Sequence, residues 1–258
     1  IRKDEYKFAC VLLDFNSHEV IDILPSRTTP FLNEYFAEIS QKVRNEVKYV
    51  ITDMYDGYIS AVKYWFPNAK IAIDPFHYMR YITEAVQDVR RRVFDDENKE
   101  FRDRSWMGNH WRLLTTNPKN YPKENMTLKT GETISYEDRV TRFVSQDRDL
   151  LLAYLDLKNI YFDLEHLTFQ RAESYFEMKI NSMLNSVIPE IVSCGKTWNH
   201  YKEYIINSFI VHNKKRLSNG PIEGFNKRVK ELKNVMSGYR NRDRFYKRII
   251  WIYNANKR

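Results

Sequence analysis

Asp53 and Glu223 are the two residues whose positions point most directly to chemistry. Asp53 ends the apolar run Lys48-Tyr49-Val50-Ile51-Thr52. A carboxylate leaving the C-terminal end of a buried strand stands where open α/β sheets place their sites. Capping of the next helix is the plainer role, and Asp56 would fill it just as well. Glu223 lies in Ser218-Asn219-Gly220-Pro221-Ile222-Glu223-Gly224. With Pro221 at the first helical position, Glu223 falls where a capping box puts its acid, which favours the helix dipole without any catalytic role. Against that, Gly220 at the implied N-cap has no side chain for the reciprocal bond, and Lys227 and Lys230 share the face of Glu223. A carboxylate followed by cations along one face suits a metal held beside a phosphate backbone. Two separated acids near a basic strip therefore suggest two-metal phosphoryl transfer. Mg²⁺ or Mn²⁺ prefers oxygen ligands. Two such ions roughly 3.5–4 Å apart activate an attacking hydroxyl and stabilise the leaving oxygen.

Two further candidates follow Asp53. Asp74 ends a second apolar run, Ala69-Lys70-Ile71-Ala72-Ile73, and precedes Pro75, which also fits an N-cap with Pro at the first helical position. His77 would sit in the first turn of that helix, where a lone histidine is commonly structural. Other catalytic designs are missing: the chain has no GxSxG elbow, P-loop, GxGxxG or HExxH. Cys10 and Cys194 form no CxxC pair, so they offer neither a disulfide framework nor a zinc site, and a reducing cytoplasm is the simplest compartment.

These residues need elements to position them. Residues 6–14 and 19–24 are β-rich runs joined by Phe15-Asn16-Ser17-His18, which predicts a hairpin. Residues 31–45 carry apolar side chains at helical spacing, and 48–53 and 69–74 are short apolar strands. A helix over 56–66 separates those strands, and a long one runs from Pro75 to about Phe94. Short strands alternating with helices predict an α/β fold whose mixed sheet has parallel neighbours and flanking helices. Residues 95–130 read as irregular or partly helical and 136–212 as helical, so 95–212 is mainly helical. Two basic amphipathic helices, 221–236 and 243–254, close the chain around Ser237-Gly238-Tyr239.

With 258 residues, 43 % of them hydrophobic, the chain has enough material for a buried core. No apolar run reaches the ~18 residues of a membrane helix, and nothing resembles a signal peptide. The charge is uneven: residues 213–258 hold 14 Lys+Arg against 3 Asp+Glu, while the rest holds 28 against 31. A basic block interleaved with Phe225, Tyr239, Phe245, Tyr246 and Trp251 suits a polyanion, although a solvated helix face would read the same way. The chain starts at Ile1 with residues that are already strand-like, which reads as a fragment of a longer protein.

Residues 50–82 (VITDMYDGYISAVKYWFPNAKIAIDPFHYMRYI) and 217–249 (LSNGPIEGFNKRVKELKNVMSGYRNRDRFYKRI) carry a specific pattern. Asp53-Met54 with Tyr58, then Asp74 with Phe76-His77, then Asn219, Glu223 and Asn226, resemble in order the DDE transposases of bacterial insertion sequences. The nearest likeness is to the ISL-three group, and the hairpin with its DILPSR ending extends it. The resemblance implies a ribonuclease-H-like core interrupted by an all-helical insertion, since 170 residues separate Asp53 from Glu223. It divides the chain into 1–94 (first part of the core), 95–212 (insertion) and 213–258 (basic helices with the last acid). It makes Asp53 the second acid of the triad and Glu223 the third. The first would lie on the strand before the hairpin, upstream of Ile1, with Asp14 and Asp4 as fallbacks. A core beginning at Ile1 would then be unable to cut. The implied activity is metal-dependent cleavage and strand transfer at the ends of a mobile element, using two Mg²⁺ or Mn²⁺ ions. The implied partner is double-stranded DNA, at element ends and target. Lys227, Lys230, Lys233, Arg240, Arg242, Arg244, Lys247 and Arg248 would contact its phosphates. A homodimer or higher oligomer on DNA is implied by analogy, in the bacterial cytoplasm and without a membrane. The competing readings are a ribonuclease-H-like nuclease that never joins strands, and a DNA-binding or assembly module that has lost the chemistry.

Overall fold

The hairpin turn is written into the first strand pair. β1 (Cys10–Leu13) and β2 (Val20–Leu24) run antiparallel, with an irregularity between Leu12 and Leu13. The computed structural model in which they are seen describes residues 9–96, 100–235 and 241–255, without the side chains of 233–235 and 242. The expected strand residues 6–8, the candidate Asp4, the joint at 237–239 and the cation Arg240 therefore lie outside the described residues, as do the side chains of Lys233 and Arg242.

After the hairpin come α1 (Thr29–Ala37) and α2 (Gln41–Glu46). The spacing had predicted one helix here. Ser40 takes an extended backbone, ψ 143°, and starts the second helix afresh as its N-cap. β3 (Tyr49–Thr52) then pairs in parallel with β4 (Lys70–Ile73) across α3 (Asp56–Trp65). This is the strand–helix–strand unit expected from the two apolar runs. Among the described residues, hydrogen bonds join strands only in pairs, and no ladder connects β1 to β3. A cleft of about 810 Å³ is lined by residues of both strands, including Val11, Leu13, Tyr49 and Ile51.

α4 (Pro75–Asp95) begins the second compact unit, residues 75–209. It continues with α5 (Arg104–His110), then the two-residue strands β5 (Met126–Thr127) and β6 (Thr133–Ile134), then α6 (Tyr136–Val144) and α7 (Arg148–His166). α8 (Phe169–Leu184), α9 (Pro189–His200) and α10 (Lys202–Asn207) complete it. The expected all-helical insertion thus contains one small hairpin, closed by Gly131 at φ 86°, a conformation that L side chains rarely adopt. Trp198 is fully buried here, its indole N–H donating to the Tyr78 carbonyl at 3.0 Å, with the Tyr78 ring edge-on to it. Arg92 of α4 pairs with Glu190 of α9 at 2.6 Å and Asp149 of α7 at 3.1 Å. The apolar face of α4 packs on those same two helices, which places 75–94 in this unit, whereas the sequence had grouped it with residues 1–74.

The first unit resumes at residue 210. β7 (Val211–His212) and β8 (Lys215–Arg216) form a tight hairpin around Asn213 and Lys214, both at positive φ. α11 (Gly220–Val235) and α12 (Arg242–Ala255) follow at the expected places. Phe225, Val229 and Leu232 of α11 pack with Ile249 of α12 against Val20 and Ile23 of β2. Burying a side chain such as Phe225, 1 % exposed, stabilises by about 1.5–3 kcal/mol. The Asn254 amide then continues the sheet: it accepts from the Val20 N–H at 2.9 Å and donates to the Val20 carbonyl at 3.0 Å. The basic helices are therefore fixed to the hairpin by their apolar faces, which leaves the cationic faces outward.

Candidate functional site

The parallel pairing of β3 with β4 sets Thr52 opposite Ile73, so Asp53 and Asp74 leave the sheet side by side, each one residue past the ladder. The Asp74 N–H still reaches the Thr52 carbonyl at 3.2 Å. Asp53 does not cap α3: the N-cap is Tyr55, with no side-chain cap bond. Tyr55 also closes over Gly57, where an added Cβ would lie 2.5 Å from its ring. Behind Asp53 the Tyr58 side chain hydrogen-bonds the Cys10 thiol. Burial pushes that thiol up to about 11, and the charge of Asp53 adds to the rise against Tyr58 and Arg27. Such a thiol stays protonated and unreactive at neutral pH.

One residue joins the two acids. The Asn219 side-chain amide donates to Asp53 Oδ1 at 3.1 Å, and the Asn219 backbone N–H donates to Asp74 Oδ2 at 2.6 Å. Its carbonyl accepts from Ile222 and Glu223 at 2.8 and 3.0 Å, which starts α11. The N-cap is therefore Asn219, not the Gly220 implied by Pro221. Glu223 moves one place beyond the capping-box position, so that explanation of its carboxylate no longer applies. Glu223 is exposed in the first turn of α11, four residues after Asn219. Residues i and i+4 on a helix are neighbours. The bond from Asn219 to Asp53 thus ties the end of β3 to the start of the helix that carries Glu223.

The remaining candidates are distributed as follows. His77 lies in the first turn of α4, in the second unit, edge-on to Phe76. Asp14 serves the hairpin: its Oδ1 accepts from the Asn16 and Ser17 N–H groups at 3.0 and 2.7 Å. The Ser17 backbone bond leads the effects that hold its carboxyl below the usual range. Lys227 and Lys230 are exposed on α11, and Arg244, Lys247 and Arg248 on α12. Asp53, Asn219 and Asn226 line the cleft that touches β1 and β3. Sequence reasoning noted Asn219 within a motif and gave it no role. The available signal was an asparagine at a helix start, four residues before an acid.

Hard divalent cations take carboxylate and amide oxygens, so the donors around Asp53, Asp74 and Glu223 have the right chemistry. Among the described residues, however, no three His, Cys, Asp or Glu side chains gather as a metal set. No helix among them is long and apolar enough to cross a membrane.

A family model described as a transposase, of the ISL3-type DDE class, matches residues 1–249. The transposase for insertion sequence element IS1001 from Bordetella parapertussis is 21 % identical over 258 residues. That match covers 98 % of this chain and 59 % of the relative, so the chain spans about three-fifths of the relative's length. No solved structure matches.

Proposed function

Because the chain belongs to the ISL3-type DDE transposase family, we propose that it is the catalytic part of a transposase that cuts DNA at mobile-element ends and joins them to a target. The observation that carries this reading is the Asn219 bridge, which ties Asp53 to the start of the helix bearing Glu223. Asp53 and Glu223 would be the protein's oxygen ligands to two Mg²⁺ or Mn²⁺ ions. When bound, such ions activate a water or a DNA 3′-hydroxyl and neutralise the leaving oxygen. The exposed cations of α11 and α12 grip phosphates, which positions the duplex without reading its sequence.

The cleft lined by β1 and β3 supports a ribonuclease-H-like core. Both strands lack a second partner among the described residues, and a strand between them would pair with each. The strand that leads into the hairpin is the natural occupant, and the first acid on it would emerge beside Asp53. A dimer or higher oligomer holds the two element ends together, and an enzyme of chromosomal DNA works in the cytoplasm.

The test uses the intact transposase with DNA carrying pre-cut element ends and a target duplex. Joining of the ends to the target in Mg²⁺ is the expected result. Cutting without joining would replace this reading with the nuclease. Binding without either reaction would replace it with the assembly module.

A further inference from the structure

Asp74 and Asn219 form a linked pair whose purpose the triad does not explain. Asp74 is only 5 % exposed. A buried carboxylate is costly unless hydrogen bonds satisfy it, and the short bond from the Asn219 N–H is of the charge-assisted kind. That N–H belongs to the residue that starts α11, at the end of the helix where a negative charge is favoured. Asp74 thus anchors the beginning of α11 to the end of β4. Through the same residue, the amide bond to Oδ1 sets the rotation of the Asp53 carboxylate.

We propose that Asn219 is a positioning residue for Asp53 and Glu223, and that Asp74 acts through it as an anchor and not as a metal ligand. This rests on the reading of Asp53 and Glu223 as ligands. The arrangement has the logic of outer partners around a metal site, which fix the orientation of the ligands and whose loss costs about 10–100-fold in affinity or activity. It also separates the two aspartates that the strand pair sets side by side. Asp53 receives the side-chain amide of the residue that starts the helix of Glu223, whereas Asp74 accepts that residue's backbone N–H.

The experiment measures single-turnover cleavage of element ends at saturating DNA by the intact transposase, with DNA affinity measured in parallel. Asn219→Ala and Asp74→Ala should each slow cleavage about 10–100-fold while DNA affinity stays unchanged, because the basic faces of α11 and α12 are untouched. Asp74→Asn keeps an oxygen that accepts the Asn219 N–H, so it should recover most of the rate. Asn219→Asp keeps the size and the helix start but replaces the donor to Asp53 with a carboxylate that repels it; it should be at least as slow as Asn219→Ala even if the alanine variant folds poorly. A wild-type rate in Asn219→Asp would overturn the proposal. So would an Asp74→Asn variant as inactive as Asp53→Asn, which would make Asp74 a ligand. An active Asp53→Ala control would instead overturn the reading beneath it.

Discussion

Asp53→Ala and Glu223→Ala should each abolish cleavage by the intact transposase, with losses of about ten-thousandfold or more and little change in DNA affinity. Groups that act as a unit lose nearly all of their effect when one member is removed, and two carboxylates that share metal ions form such a unit. Binding should survive because the exposed cations are unaltered: Lys227 and Lys230 on α11, and Arg244, Lys247 and Arg248 on α12. Folding should survive as well. Glu223 is exposed, and Asp53 gives α3 no side-chain cap. Single-turnover cleavage alongside a binding isotherm checks both halves. If either alanine variant cuts at the wild-type rate, that residue is no ligand.

The second large effect is salt. Each phosphate neutralised contributes about −0.9 to the slope of log affinity against log salt. The five exposed cations named above, if all are engaged, give a slope of about −4.5, or roughly a 500-fold loss between about 50 and 200 mM salt. Removing one of them, as in Lys230→Ala, should lower the slope by about one and weaken all DNA sequences alike. Fluorescence anisotropy across a salt series measures this directly. A flat response would mean that these faces are merely solvated.

The parts of the site legible in the sequence were those with a local signature. The runs at 48–53 and 69–74 are short, apolar and bounded by helices, so the parallel pair and its two terminal aspartates could be anticipated. The stripe of Phe225, Val229 and Leu232 gave the buried face of α11, and with it the outward cations. Features that depend on distant partners left no such trace. Asn219 reaches Asp53 across 166 positions and Asp74 across 145, and neither bond has a local signature. Pro221 drew the helix start one residue too far along because the side chain of Asn219 is engaged elsewhere. The apolar face of α4 was visible, but periodicity does not name a partner, and that partner lies on α7 and α9.

The measurement that tests the central claim most directly is Mn²⁺ titration by calorimetry, on this chain and on a version extended upstream through the strand before the hairpin. Each is measured with Asp53→Ala and Glu223→Ala controls. The account predicts a metal site in the extended protein that both substitutions abolish. No Mn²⁺ binding by either protein, even with DNA present, would contradict it and leave a DNA-binding module.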